Sequence, residues 1–251
     1  MAGTAVRGRL TWQVATVSAV TDETPAVRTI SLDLPDWPGP GAGPQRAGQH
    51  LDVRLTAEDG YQAEREYSIA SAPGEPVAIT VERLADGEVS PYLTEELRQG
   101  DQFEVRGPVG GYFVWDGDDG PLLLVAGGSG IAPLRAMLRH RRRTGSTVQA
   151  RLLYSSRTWQ DVIYRAELSV PADGLEVFHT LTRQQPPGWT GYARRVDAQM
   201  LTEVAWPAAD DPVVYVCGPT SFVETVAGAL TSLGYPARRI RTERFGATGG
   251  Q

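Results

Sequence analysis

From Leu122 to Pro133 the chain reads Leu-Leu-Leu-Val-Ala-Gly-Gly-Ser-Gly-Ile-Ala-Pro, and this stretch restricts the fold more than any other. An apolar run without alternation marks a strand buried on both faces, as in parallel sheets covered by helices on each side. The glycines let the backbone turn sharply and approach a ligand without Cβ clashes. A helix starting at Ile131 directs its partial positive charge back at that turn. Such a turn can cradle a pyrophosphate, or it can be no more than a tight strand-to-helix connection. Spacing removes three other readings. No Gly-Lys-Ser/Thr follows, so it is not a P-loop. Ile131 stands two residues after Ser129, so there is no Gly-x-Ser-x-Gly nucleophile elbow. Pro133 stands where the third glycine of G-x-G-x-x-G would be.

The strand-then-helix rhythm continues downstream. After a helix over Ile131 to Arg143, whose arginines 141–143 read as its charged end, a strand from Gln149 to Tyr154 precedes a helix from Asp161 to Leu168. Leu175 to Leu181 precedes Val196 to Val204, and Pro212 to Cys217 precedes Ser221 to Leu233, which predicts a doubly wound parallel sheet. Upstream the period is two. Ile30, Leu32 and Leu34, then Leu51, Val53 and Leu55, then Val77, Ile79 and Val81 alternate between turn signals, with one short helical stretch after Ser90-Pro91, where Ser90 can cap and Pro91 can start a helix. That pattern predicts a small antiparallel β-barrel. The change of period falls in the polar stretch Asp116 to Gly120, which divides the chain into residues 1–116 and 117–251. Pro38 to Pro44 reads as a loop and Ala247 to Gln251 as a loose tail.

With 251 residues the chain has room for two modest domains, and 24 basic against 30 acidic residues leave a formal charge of −6, which argues against a broad nucleic-acid-binding surface. Leu122 to Ala126 falls far short of the roughly 18–20 apolar residues a membrane span needs. Arg7 and Arg9 are not followed by the apolar segment of a signal peptide, so a cytoplasmic location is expected. A lone Cys217 makes no intrachain disulfide and cannot supply the four thiolates of an iron–sulfur cluster, which places any one-electron relay on another protein. His50, His140 and His179 lack metal-ligand spacing, leaving only a site assembled with carboxylates in the folded chain, and no metal is expected.

A second signal lies in the β half, at Arg65-Glu66-Tyr67-Ser68 and Gly87-Glu88-Val89-Ser90-Pro91. An arginine, a hydroxyl and free amides make another place for a phosphate, and Tyr67 offers a face to a flat ring. Taken singly, Tyr67 reads equally as core and Arg65 as a solvated charge. In order, these motifs join Gly48-Gln49-His50, Gly107-Pro108-x-Gly110-Gly111, Gly127-Gly128-x-Gly130-Ile131-x-Pro133, Cys217-Gly218-Pro219 and Glu243-Arg244-Phe245. Over nearly the whole length, from about Trp12 to Gly246, the set resembles the ferredoxin–NADP reductase superfamily, specifically stand-alone flavin reductase modules like the reductase components of oxygenases but without an iron–sulfur domain.

The resemblance implies a β-barrel for FAD and an α/β domain for NAD(P). It places Arg65 on the flavin pyrophosphate, Tyr67 against the isoalloxazine and Ser68 near the ring nitrogen that takes the hydride. Gly87, Val89 and Ser90 would hold the diphosphate, and Gly128, Gly130 and Pro133 would lie under the dinucleotide. Cys217, with Gly218 and Pro219, would lie beside the nicotinamide, although a small apolar residue ending a strand fits equally. Glu243 would handle a proton or tune the flavin edge, or stand as an exposed charge near a terminus. Phe245 matches an aromatic that stacks on the flavin in plant-type members, but here more residues follow it. Arg157, Thr182 and Arg183, at two strand ends without Asp or Glu, resemble a grip on the 2′-phosphate of NADPH, which is favoured over NADH; Arg194 and Arg195 lie nearby. The implied activity is hydride transfer from NAD(P)H to FAD, then electron delivery to a separate ferredoxin, an oxygenase component or a small oxidant. The rival reading is a flavin-holding electron-transfer or regulatory subunit that does not oxidise NAD(P)H.

Overall fold

The computed structural model describes residues 10–38, 43–117 and 120–246. The N-terminal segment read as lacking a signal peptide, the middle of the Pro38–Pro44 loop, part of the Asp116–Gly120 stretch and the Ala247–Gln251 tail lie outside them.

Six strands build the first half: β1 (Gln13–Thr24), β2 (Val27–Asp33), β3 (His50–Thr56), β4 (Gln62–Ser68), β5 (Val77–Glu82) and β6 (Gln102–Val109). They pair antiparallel in the order β4-β3-β6-β1-β2-β5. The two outer strands meet where Ile69 bridges Ile79 and Ala70 N–H donates to Ala78 O at 2.7 Å, which closes the sheet into a barrel. Leu51, Val53, Ile30, Ile79 and Val105 fill its interior. β5 departs from simple alternation. Val77 through Val81 are all buried, and Thr80, on the face opposite the core residues Val77, Ile79 and Val81, meets the Tyr164 hydroxyl of the second half of the molecule.

That half holds β7 (Leu122–Gly127), α1 (Ile131–Arg143), β8 (Ala150–Ser156), α2 (Arg165–Leu168), β9 (Leu175–Leu181), α3 (Ala198–Val204), β10 (Val213–Pro219), α4 (Thr220–Ser232) and β11 (Ile240–Phe245). Its five strands are parallel in the order β11-β10-β7-β8-β9, so the winding reverses between β7 and β10. Ligands of such sheets bind beyond the carboxyl ends of the strands at that reversal. One face packs on α1 and the barrel, the other on α3 and α4.

Two predicted helices come out differently. The helix expected from Asp161 to Leu168 is only α2, because Tyr164 adopts a left-handed backbone (φ 57°) just before it and a tight turn capped by Thr158 and Asp161 precedes it. Tyr164 accepts that strained conformation while its buried hydroxyl bonds Thr80 of the barrel. After Ser90-Pro91 the chain makes a wide π-type turn, Tyr92–Glu96, that Ser90 does not cap: its Oγ accepts Leu84 N–H at 3.1 Å instead.

The halves meet over an apolar cluster in which Val27, Ala47, Ala70, Phe113 and Trp115 pack with Leu134, Met137 and Tyr215. Arg139 donates to Glu75 of the first half (3.1 Å) and to Glu167 (2.8 and 3.1 Å), and Arg135 also reaches Glu167 at 2.8 Å. No helix among the described residues is long and apolar enough to cross a membrane.

Candidate active site at the seam

The Gly127–Gly130 turn sits at the winding reversal, and two glycines there are required by contact. A Cβ on Gly130 would lie 2.2 Å from Cys217 O, so β7 and β10 approach this closely only with hydrogen at that position. Gly128 has φ +55°, which disfavours any side chain. Pro133 falls in the first turn of α1, where its missing N–H costs nothing. Beneath the turn, Tyr154 O–H donates to Gly128 O at 3.1 Å and accepts Ile163 N–H at 3.3 Å, which fixes the direction of the Gly128 carbonyl.

Cys217, Gly218 and Pro219 end β10, and register pairs them with Glu243, Arg244 and Phe245 of β11. Cys217 is buried, and desolvation, with Glu243 adding to it, pushes its thiol well above the usual range, so it is a neutral thiol. Glu243 accepts a long hydrogen bond from Ser68 Oγ at 3.5 Å, across the seam from the end of β4. Its other oxygen, Oε2, is buried and has no partner among the described residues. Burial, despite the Ser68 hydroxyl, raises this carboxyl to about 7. The structure therefore brings together Ser68, Cys217 and Glu243, which lie in two halves of the sequence. Phe245 is half-buried against the seam cluster beside Pro219.

On the barrel, Tyr67 is half-buried against the core, and desolvation pushes its hydroxyl up to about 12. Arg65, two residues earlier on β4, is exposed and donates to Glu88 Oε2 at 3.0 Å, in the Gly87–Ser90 loop. Arg65 thus faces the loop expected to share an anion with it, and an anion there would have to draw the guanidinium from Glu88. Val89 contributes its side chain to the barrel core, which leaves only its backbone for a ligand. Ser90 is buried with its oxygen already accepting a bond, although its own proton remains free to donate. Beyond Glu88 lies a cleft of about 710 Å³ lined by Tyr61, Tyr92 and Phe103 among others.

At the far end of the sheet the β8 and β9 ends are tied together. Arg157 O accepts Arg183 N–H at 2.9 Å, and Thr182 N–H and Oγ1 both donate to Ser156 O, at 3.0 and 3.3 Å. Arg157 and Arg183 are thereby neighbours, both exposed, and neither has an ion-pair partner among the described residues. Arg194 differs: its Nε donates to Asp197 at 2.8 Å and its guanidinium lies 5.3 Å from the Tyr192 ring centroid. Of the histidines, His50 forms the one group among the described residues with metal-ligand proximity, alongside Asp52 and Glu66, and Arg106 already holds Asp52 at 2.6 and 2.8 Å.

Sequence reasoning missed Tyr154, Glu82 and Phe222. Phe222 fills the space that a Cβ on Gly127 (2.9 Å) or Gly218 (2.7 Å) would need. Glu82 accepts Ser129 Oγ–H at 2.7 Å across the seam. A sequence signal existed only for Tyr154, as the large polar-tipped residue that follows the apolar pair Leu152-Leu153 near the carboxyl end of a strand.

Comparison with known proteins agrees with this layout. The chain matches the oxidoreductase FAD-binding domain over residues 15–114 and the oxidoreductase NAD-binding domain over residues 124–228. It is 34% identical over 240 residues to ferredoxin–NADP reductase B of Sorangium cellulosum, covering 92% of this chain and 96% of that one. This chain belongs to the ferredoxin–NADP reductase superfamily. A second superfamily relative is the glycine betaine monooxygenase reductase subunit of Chromohalobacter salexigens, 33% identical over 81% of this chain; the match spans only 56% of that longer protein. The fold is shared with the FAD/NAD-binding domain of a Vibrio cholerae nitric oxide dioxygenase, at a TM-score of 0.81 and 24% identity over 93% of this chain and 98% of that one. The close-approach turn around Gly130 and the unpartnered Glu243 oxygen are features that a nicotinamide nucleotide and a flavin would fit.

Proposed function

We propose that the chain is an FAD-dependent oxidoreductase that takes electrons from NAD(P)H, with NADPH preferred, and delivers them to an external acceptor such as a ferredoxin or an oxygenase component. The observation that carries this reading is the meeting of Ser68, Cys217 and Glu243 at the seam, beside the Gly127–Gly130 turn. The bound cofactors would supply the hydride chemistry itself. The chain's part is to hold and orient them. Arg65, Tyr67 and the Gly87–Ser90 loop would hold the flavin from the barrel, and Gly128, Gly130 and Pro133 would hold the dinucleotide from the sheet. Neutral Cys217 presents a small, uncharged edge to the stacking site, and Glu243, neutral or charged near pH 7, holds or gives up a proton at Oε1 beside Ser68. Arg157 and Arg183, adjacent and without an ion-pair partner among the described residues, support a 2′-phosphate grip.

We further propose the domain division at 116/117 and a cytoplasmic location. The purified protein is expected to be yellow and to release FAD on denaturation. Anaerobic mixing of the flavin-loaded protein with NADPH is expected to bleach the flavin. Retained flavin with no bleaching by NADPH or NADH would favour the electron-transfer or regulatory subunit instead.

A further inference from the structure

We propose that Glu82 sets the affinity for the dinucleotide by placing a fixed negative charge against the turn that receives its pyrophosphate. This rests on the nucleotide reading of the Gly127–Gly130 turn. β5 ends at Glu82, so the carboxylate is carried by the flavin half and reaches across the seam. Its Oε2 accepts Ser129 Oγ–H at 2.7 Å and lies 3.8 Å from where a Cβ on Gly128 would stand, on the side that the bare glycine leaves open. No arginine or histidine pairs with it among the described residues. Ser129, which it holds, immediately precedes the N-cap Gly130 of α1, a thirteen-residue helix whose first turn contains no acidic residue of its own, so the carboxylate stands one residue from that helix's positive end.

A pyrophosphate entering the turn must share that positive end with a carboxylate already there. The like charges repel in a half-buried, weakly screened setting. Glu82 therefore holds nucleotide affinity down and speeds departure of the oxidised product, while its hydrogen bond keeps Ser129 in place. A sheet-borne carboxylate can do this steadily, because its position is fixed by the barrel and not by a mobile loop.

Calorimetric titration of the flavin-loaded protein with NADP⁺ and with NAD⁺ tests the proposal without turnover. Glu82→Gln keeps an acceptor for Ser129 and removes only the charge. It is expected to bind both nucleotides roughly tenfold more tightly, with the gain shrinking as salt is added. Glu82→Ala is expected to tighten binding as well, whereas Ser129→Ala, which retains the charge, is not. Unchanged or weaker binding by Glu82→Gln, at unchanged melting temperature and flavin content, would overturn the proposal and reduce Glu82 to an interdomain tie. A wild-type protein that binds neither nucleotide would instead overturn the nucleotide reading of the turn, before any variant is compared.

Discussion

At Glu243, burial opposes ionisation and only one long hydrogen bond favours it. The folded value, about 7, lies above the usual carboxylate value of 4.5, so the native state binds the proton more tightly than the unfolded chain. Stability contributed by the protonated form is complete below about pH 4.5 and is lost as pH rises through 7, a change on the order of 3 kcal/mol. Glu243→Gln is expected to remove this slope and to leave the protein more stable than wild type at pH 8; melting temperatures of both proteins at pH 5 and pH 8 check it. Equal slopes would mean that the carboxyl ionises freely in the fold. The nucleotide preference is also decided at this scale. Arg183→Ala is expected to raise KM for NADPH about tenfold or more and to leave KM for NADH nearly unchanged, as a lost 2′-phosphate contact requires. Parallel initial-rate series with the two nucleotides check that split.

Among the elements, the β7–α1 turn carries the tightest packing constraint in the site. Gly130→Ala would drive a methyl into the Cys217 carbonyl and push β10 from β7, at a cost of about 3 kcal/mol. The expected outcome is a lower melting temperature together with weakened nucleotide binding, because the same displacement moves the start of α1; thermal melts with and without NADP⁺ check it. This element was legible in the sequence because its signal is local: apolar run, glycines and helix start are contiguous. The same locality made β2, β3, β5 and the strands β8 to β10 readable from their periods, whereas β1 and β6, whose apolar alternation is weaker, were not read. α2 was not, since the left-handed turn at Tyr164 exists to reach Thr80, more than eighty residues earlier. Ser90 looked like a helix cap because Ser-Pro commonly starts one, yet its oxygen serves Leu84 behind it. Ser68 and Glu243 were named by motif resemblance alone; their contact is made by the fold, as is that of Glu82 with Ser129.

For the molecule as a whole, the seam determines whether the halves behave as one body. Glu75 lies at the edge of the first half, accepts from Arg139 and Ala72 N–H, and is mostly buried. Arg139→Met would leave that carboxylate without its close partner, costing about 2 kcal/mol. Calorimetry is expected to show one unfolding transition for wild type, and for the variant a lower one that broadens or divides as the halves uncouple. An unaltered single transition would assign the coupling to the apolar cluster instead. Every basic residue involved is arginine, as are all 24 basic residues of the chain, so no seam charge is lost by deprotonation at ordinary alkaline pH.

Strand β5 belongs to the barrel by its hydrogen bonds, but its outward Thr80 meets Tyr164 of the other half, which packs in one apolar cluster with Val27, Ala70 and Phe113 of the barrel half. Cut free, a barrel would present that sticky flank to water and seek a substitute cover, inviting clumping. Gene fusions that borrow this machinery would therefore have to take both halves together as one inherited cassette.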